Sequence, residues 1–333
     1  MSNKNYFSYT VERDDETGWA AIVTLRYDNP DDVYQNKIVK VCPDAGSNLF
    51  YWKVGEYEII HQPSSLKDLL GYNYGIPVLY PTPSLVRNIR YIFMGEEIHQ
   101  VKNGKKYGLH GLVFDEPWNY EEPLVSESGI TLKTSITFTK ESKLFPAFPF
   151  ENTLRLSITL LKDRLRFDYE VDNLGGKPLP YGFGLHSYFK TFGEREDNLI
   201  QAEVEKAYTT IDLLPTGELY SVEGTIEDIR NPTSLANLDL DHVYYGVTPE
   251  TNVRAIFNKI HLQVSLKASK DFINLVVYTP INEKFFCMEN YTCPTDAHNL
   301  YAKGFKDVAH LLIVEPKEKM SGWVEYVTEW IDK

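Results

Sequence analysis

Hydrophobic and polar residues alternate along much of this chain, which is the pattern of β-strands that bury one face. Apolar residues occupy every second position in four stretches, residues 130–138 (except at Thr134), 154–160, 165–171 and 260–266. The polar residues 162–164 separate the second stretch from the third, and this spacing predicts a β-hairpin. Further strands are predicted at residues 272–278, 310–314 and 323–330.

Helical patterns are few. Residues 63–70 and 232–237 each predict one short helix, the first of them capped by a serine. Because strands follow one another without intervening helices, a doubly wound α/β sheet is excluded. We therefore predict an all-β fold, a large antiparallel β-sandwich with a few short helices. No linker or repeat divides the chain, so residues 1–333 are predicted to form a single domain.

Composition is ordinary for a folded protein, with 43% hydrophobic and 24% charged residues in 333. The three cysteines, Cys42, Cys287 and Cys293, cannot all pair and form no C-x-x-C, which argues against a disulfide scaffold or a zinc site. The polar N-terminus has no apolar core of a signal peptide, so we expect a cytoplasmic protein. No apolar run approaches the roughly 18 residues of a membrane helix, so no membrane contact is expected.

Charge also restricts the partners. With 34 basic and 47 acidic residues the net charge is −13, and no basic cluster is present, so nucleic acid is not an expected partner. The same balance disfavours a phosphorylated substrate. The 23 Tyr, 17 Phe and 5 Trp residues fit a protein rich in strands, and aromatic stacking on sugars or bases is the alternative explanation.

Four residues are candidates for chemistry. His110 and His186 each lie among glycines, which allow close backbone approach and leave an imidazole accessible. Glu289 follows the apolar residues 285–288, so burial is expected to raise its pKa towards that of a general base. Asp241 is a further carboxylate candidate, with a turn residue as the alternative. For the two histidines the alternative is a structural role, and for Glu289 it is a strand-end residue that faces water.

Several short motifs occur in a characteristic order: residues 79–84 (L-Y-P-T-P-S), 109–118 (L-H-G to P-W), 178–189 (P-Y-G-F-G-L-H-S-Y-F at its end), 214–218 (L-P-T-G-E), 240–242 (L-D-H) and 287–292 (C-M-E-N-Y-T). Together they resemble the aldose 1-epimerase (galactose mutarotase-like) superfamily, from about residue 38 to the C-terminal strands. The resemblance implies an antiparallel supersandwich and interconversion of the α and β anomers of a free aldose. It also implies that residues 214–218 form a turn.

The same resemblance implies roles for the candidate residues. Glu289 matches the general base that takes the proton of the C1 hydroxyl, and His186 matches the general acid that protonates the ring oxygen. His110 and Asp241 match residues that hold sugar hydroxyls. Opening a hemiacetal needs one acid and one base, so no cofactor and no metal are expected.

Two positions differ from the better-known mutarotases. Those enzymes carry Asn-Arg where this chain has Ser84 and Leu85, and often a glutamine where it has Val276. Arg87, or Arg90, is therefore expected to replace the missing sugar-binding arginine. Tyr188 and Trp118 are expected to line the wall of the cleft and stack on the sugar.

Three functions follow as hypotheses: a mutarotase-type isomerase, a hexose-6-phosphate 1-epimerase, and a non-enzymatic carbohydrate-binding protein on the same fold. The second requires a cluster of arginines for the phosphate. The third is motivated by the two altered positions, and retention of both His186 and Glu289 argues against it. A small-molecule sugar is the expected partner, and a monomer or homodimer the expected assembly.

Overall fold

The computed structural model describes residues 6–14, 18–102 and 104–331, and most of its regular structure is strand. The strands of the first part of the chain are β1 (Phe7–Asp14), β2 (Trp19–Tyr27), β3 (Lys37–Cys42), β4 (Asn48–Val54), β5 (Tyr57–Glu58), β6 (Val78–Leu79), β7 (Arg90–Phe93), β8 (Glu96–His99), β9 (Val101–Lys102) and β10 (Lys105–Lys106). The middle of the chain forms β11 (Asn119–Tyr120), β12 (Leu124–Val125), β13 (Gly129–Phe138), β14 (Asn152–Leu161), β15 (Arg164–Asn173), β16 (Leu179–Tyr181), β17 (Gly184–Leu185), β18 (Tyr188–Lys190), β19 (Asn198–Ala202) and β20 (Lys206–Ile211). The last part forms β21 (Leu214–Ser221), β22 (Thr233–Ser234), β23 (Asp241–Tyr245), β24 (Val253–Phe257), β25 (Leu262–Ala268), β26 (Asn274–Tyr278), β27 (Phe285–Tyr291), β28 (Leu312–Val314) and β29 (Lys319–Trp330).

Two large sheets and one smaller sheet contain most of these strands. The ten-stranded sheet has the order β11-β13-β14-β15-β29-β25-β24-β19-β22, with β12 also paired to β13. The eight-stranded sheet has the order β21-β20-β23-β26-β27-β17-β6, with β18 also paired to β27. The strands β1 to β5 form the smaller sheet in sequential order. Pairing within all three sheets is antiparallel, so the predicted all-β antiparallel fold is confirmed.

The predicted hairpin is present as β14 and β15. Leu160 pairs with Leu165 next to the turn, and the register continues without a break to Asn152 and Asn173. Side chains of β15 alternate between buried and half-buried along its whole length. This alternation is the one read from the sequence, since successive strand residues point to opposite faces of a sheet.

Aromatic side chains join the three sheets in one core. Tyr326 of β29 contacts Trp52 of β4 and Phe189 of β18, with ring centroids 5.9 and 6.3 Å apart. Phe189 in turn stacks on Phe286 of β27 at 5.6 Å. All four rings are buried, so the two large sheets pack face to face as a sandwich and the smaller sheet closes one side.

Helices are short. The α-helices are α1 (Ala297–Ala302) and α2 (Lys306–Ala309), and no helix within the described ranges is long and apolar enough to cross a membrane. The 3-10 helices are Val33–Gln35, Leu66–Leu70, Arg87–Ile89, Arg195–Asp197, Leu235–Asn237 and Asn258–Ile260. Ser65 and Ser234 cap two of these, at the two places where the sequence predicted a helix.

Three local predictions differ from the structure. Neither α1 nor α2 was expected, because their six and four residues are too short to show a helical period. The strand predicted from residue 310 begins at Leu312, because His310 ends α2 with a φ of 39°. Residues 214–218, expected as a turn, begin β21, and the turn lies at Asp212 and Leu213, whose φ angles are 51° and 63°.

Candidate active site

A cavity of about 340 Å³ lies over the eight-stranded sheet and brings together four of the residues predicted for acid–base chemistry or sugar binding. These four are His110, His186, Asp241 and Glu289, and the side chain of Tyr188 also lines the cavity. They are distant in sequence, but the strands that carry or precede three of them lie within four consecutive strands of the sheet, β23-β26-β27-β17.

Strand register places the carboxylate beside the imidazole. Leu185 of β17 pairs with Asn290 of β27, and Tyr188 of β18 pairs with Cys287 of the same strand. The antiparallel register between these pairs sets His186 opposite Glu289. Oε1 of Glu289 lies 3.4 Å from Nδ1 of His186, and both side chains are buried, at 1% and 5% exposure.

Two tyrosines fix the orientation of this pair. The Tyr291 hydroxyl donates a hydrogen bond to Oε2 of Glu289, which leaves Oε1 directed at the imidazole. The Tyr188 ring stacks on His186 with parallel planes and ring centroids 4.3 Å apart, and its hydroxyl lies 3.3 Å from Nε2. Nδ1 of His186 is buried and makes no hydrogen bond within the described residues, and the nearby Oε1 of Glu289 is its ion-pair neighbour.

Gly184 makes room for this arrangement. It pairs with Tyr291 across β17 and β27, and a Cβ atom at residue 184 would lie 2.5 Å from Cδ1 of the tyrosine ring. Such a contact is far inside van der Waals distance, so any larger residue displaces the ring. The second glycine of the P-Y-G-F-G-L-H segment therefore makes room for the ring of Tyr291, which binds the carboxyl group of Glu289.

The second glycine-flanked histidine reaches the cavity from a loop. Gly111, at a φ of 77°, approaches Tyr80 so closely that a Cβ atom would lie 2.3 Å from its backbone oxygen. His110, at a φ of 62°, then points back to His186, with ring centroids 4.9 Å apart. The ring of Tyr72 packs edge-on against His110 at 4.6 Å, so an aromatic wall borders the pair on this side.

Burial changes the proton affinities of the pair in opposite directions. Loss of water raises the pKa of Glu289 well above its ordinary value of 4.5, the Tyr291 hydrogen bond opposes this, and the charge of Asp241 adds to it. Desolvation lowers the pKa of His186 well below 6.5, and nearby His110 lowers it further. Desolvation likewise lowers the pKa of His110 to about 3. Without a bound molecule, the pair therefore favours two neutral groups, with one proton on the carboxyl group.

One group of side chains in the described ranges has the spacing of metal ligands. Ligating atoms of His186, Cys287 and Glu289 all lie within 4.8 Å of one another. Burial raises the pKa of the Cys287 thiol well above 9.0, and the neighbouring carboxyl group adds to this. Because a metal binds the thiolate and not the thiol, a metal ion here would first have to displace the proton of Cys287.

Other residues of the cavity carried little signal in the sequence. Tyr278 is on β26, where it pairs with Cys287 of β27 on one side and with Asp241 of β23 on the other. Only the register of these strands therefore brings it to the site. Tyr291 could have been found, because it lies two residues after Glu289 and so on the same strand face. Tyr72 comes from an irregular loop and had no recognisable pattern.

Two predictions are wrong. Trp118 does not line the cleft: it is buried in the main core, and its indole N–H donates to the backbone oxygen of Val113 at 3.2 Å. Arg87 does not replace the missing arginine, because Asp296 accepts hydrogen bonds from both its backbone N–H and its guanidinium. The side chains of Arg87 and Arg90 line a separate depression. Tertiary partners thus hold both residues away from the cleft.

A larger depression of about 850 Å³ lies along β13 to β15 and β29 of the ten-stranded sheet. Its charged side chains neutralise one another, as in the pairs of Arg155 with Glu170 and of Arg166 with Asp168. It has no buried acid and base in contact, so the smaller cavity is the candidate active site.

The chain has distant relatives among known proteins. The chain is 21% identical over 226 residues to the uncharacterized protein YihR of Escherichia coli K12, covering 67% of this chain and 71% of that one. It is 30% identical to human galactose mutarotase over 149 residues, 42% of this chain and 41% of that enzyme. The chain thus spans less than half the length of the galactose mutarotases that it matches.

Solved structures show the same fold. A galactose mutarotase-like protein from Clostridium acetobutylicum superposes with a TM-score of 0.82 at 19% identity, over 98% of this chain and 99% of that one. Galactose 1-epimerase from Lactobacillus acidophilus superposes with a TM-score of 0.75 at 17% identity, with the same coverage. The sequence model of the aldose 1-epimerase family matches residues 35–327. This protein therefore belongs to the aldose 1-epimerase family.

Proposed function

We propose that this protein interconverts the α and β anomers of a free, uncharged aldose, with Glu289 and His186 as the acid–base pair. The observation that carries the proposal is the 3.4 Å contact between a buried carboxyl oxygen and an imidazole nitrogen at one cavity. The two oxygens of a cyclic hemiacetal are bonded to the same carbon, so neighbouring side chains can serve both at once. A protein that only binds sugar has no need of such a pair.

The reaction is a reversible ring opening. Glu289 takes the proton of the C1 hydroxyl, the C1–O5 bond breaks as the carbonyl forms, and His186 gives a proton to O5. Rotation about the C1–C2 bond turns the other face of the carbonyl towards O5. Ring closure then returns the O5 proton to His186 and the Glu289 proton to the C1 oxygen, so both groups regain their starting state.

The pair works with one shared proton. The active arrangement is a carboxylate with an imidazolium, and the opposed pKa changes favour the neutral arrangement with the same number of protons. One proton transfer between Glu289 and His186 converts the two forms without changing the net charge of the cavity. Burial deprives the Glu289 carboxylate of hydrogen bonds from water. A bound C1 hydroxyl donates a hydrogen bond in their place and so stabilises the ionised form of Glu289.

The charge of the cavity supports an uncharged substrate. No lysine or arginine is among the described residues that line it, and its two carboxyl groups are Asp241 and Glu289. A sugar phosphate would lie beside these acids without a compensating cation, and like charges repel strongly where water is excluded. The hexose-6-phosphate alternative therefore has no support at this site.

The test is polarimetry of freshly dissolved α-anomers of several aldoses, with and without protein. We expect the protein to accelerate the approach to anomeric equilibrium for at least one aldose. The variant His186→Asn should lower that rate by about 10²–10⁴-fold, since O5 then receives no proton.

The matched control is His99→Asn, because His99 is exposed on β8 and does not line the cavity. It should retain the wild-type rate. Acceleration that survives in His186→Asn would refute the mechanism. If sugars bind but none reaches anomeric equilibrium faster with the wild-type protein, the chain is a carbohydrate-binding protein.

A further inference from the structure

Acid, base and two valines lie side by side on neighbouring strands of the cavity floor. Glu289 of β27 pairs with Val276 of β26, and Val276 pairs with Val243 of β23. On its other side Glu289 faces His186, so the order across the sheet is His186, Glu289, Val276 and Val243. All four side chains line the cavity, and each strand step is about 4.8 Å.

The two ends of this row differ in polarity. Beyond His186 lies the imidazole of His110. The strand beside β17 is β6, and Tyr80, directly after β6, forms a β-bridge with Gly111, which places His110 at this end of the row. Beyond Glu289 lie Val276 and Val243, which pack together in one apolar cluster. No hydrogen-bonding side chain stands in the row on that side.

A third aliphatic side chain lines the cavity on the valine side. Leu213 lies in the turn between β20 and β21, and β20 pairs with β23 next to Val243. This residue is 54% exposed and adopts a φ of 63°, a left-handed conformation that asparagine and glycine favour. A leucine here places apolar surface at the cavity, where a polar turn residue is the usual choice.

The connectivity of a pyranose decides which substituent meets these side chains. With O5 at His186 and the C1 hydroxyl at Glu289, the C5 substituent lies beyond O5, on the side of His110. An equatorial C2 substituent points away from O5, and therefore to the Glu289 side, over Val276. A hydroxyl at C2 would be desolvated there without a hydrogen-bond partner in the row, which is unfavourable.

We propose that the cleft selects an aldose that presents C–H in place of a hydroxyl at C2, a 2-deoxyaldose. This inference rests on the proposed function, because the acid and base fix how the ring is oriented. Asp241 lies on the same side of Glu289 as the valines, but two residues before Val243 on β23, opposite Tyr278. It is placed for hydroxyls farther from C1.

The wild-type protein allows a direct test. The acceleration of anomer exchange is measured by NMR for 2-deoxyglucose, glucose, 2-deoxygalactose, galactose and 6-deoxygalactose, each relative to the spontaneous rate. We expect kcat/KM for each 2-deoxy sugar to exceed that of its parent by roughly five- to hundredfold, the factor for one unpaired buried hydroxyl. 6-Deoxygalactose should show no such gain. Equal or higher values for the parent sugars, or a gain for 6-deoxygalactose alone, overturn the proposal.

The variant Val276→Thr adds a hydroxyl with little change of volume. It should shift the preference towards the 2-hydroxy sugar by about tenfold, since the threonine can pair with the C2 hydroxyl. The control Val33→Thr makes the same change at an exposed valine outside the cavity and should leave the preference unchanged. An unchanged preference in a folded Val276→Thr protein contradicts the assignment, and the wild-type sugar series decides if that variant does not fold.

Calorimetry with the same sugars separates this inference from the proposed function. If no aldose reaches equilibrium faster but the 2-deoxy sugars bind more tightly than their parents, catalysis fails and the specificity stands. If catalysis is found and the parents bind equally or better, the specificity fails alone. If none of the sugars binds, both fail.

Discussion

Glu289→Gln is the substitution that tests the chemistry most directly. The amide has the shape of a protonated carboxyl group and can still accept the hydrogen bond from Tyr291. It cannot take the proton of the C1 hydroxyl. The variant should therefore bind sugar almost as well as the wild type and lose most of its mutarotation.

The structure indicates a loss at the upper end of the usual range. The other carboxyl group of the cavity, Asp241, lies two strands across from Glu289 and two residues along the strand, roughly 12 Å away between Cα atoms. It is too far away to replace the base, and at 1% exposure Glu289 has almost no contact with bulk water. General base catalysis contributes about 10²–10⁴-fold, so we expect a loss near 10⁴-fold, or about 5 kcal/mol of barrier.

The same substitution predicts a gain in stability that depends on pH. The folded pKa of Glu289 is raised, so the folded state holds this proton more tightly than the unfolded chain. That contribution is fully present below the ordinary value of 4.5 and is lost as pH rises through the folded pKa. Glutamine has no such proton, so Glu289→Gln should gain stability relative to the wild type as pH rises above about 5.

Two measurements decide this prediction. Polarimetry or NMR exchange gives the mutarotation rate, and thermal unfolding from about pH 5 to about pH 8 gives the stability difference. Glu250→Gln, at an exposed turn outside the cavity, is the matched control and should change neither. Near wild-type mutarotation by a folded Glu289→Gln protein would refute the assignment of the base.

Three further predictions concern the same site. The pH profile of kcat/KM should be bell-shaped, because the pair works with one proton: it holds two protons below the lowered pKa of His186 and none above the raised pKa of Glu289; a profile that falls on one side only would contradict the shared proton. His110→Ala should raise KM more than it lowers kcat, since this residue borders the pair without being part of it, and steady-state kinetics separates the two effects. Gly184→Ala should displace the ring of Tyr291, lowering both the activity and, by about 1–3 kcal/mol in denaturant titration, the stability of the fold. The control Gly176→Ala should change neither, because a Cβ atom at residue 176 meets open space.

Part of the site was predictable because strand geometry is local. Residues two apart on a strand face the same side, so Glu289 after an apolar run predicts a buried carboxyl group, and its 1% exposure agrees. The glycines at residues 184 and 111 also signalled close backbone approach, which the contacts with Tyr291 and Tyr80 explain. These signals depend only on neighbours along the chain.

Other placements depended on contacts between distant parts of the chain. Trp118 and Arg87 lie beside the correct motifs, but the core and Asp296 hold them away from the cavity. No sequence pattern distinguishes an arginine that faces a sugar from one that pairs with a carboxylate 209 positions away.

The sequence alone was sufficient to determine the all-β fold, its main hairpin and the burial of its strand faces. Alternation with a period of two is sufficient for these, because they depend on single strands and on strands adjacent in sequence. Strand order and register belong to the tertiary structure alone. They set Val276 opposite Glu289 and bring His186 to within 3.4 Å of that carboxyl group. Register between strands is fixed by packing of the whole sheet, so the chemistry of this cavity and its apolar side arise only when the sandwich is closed.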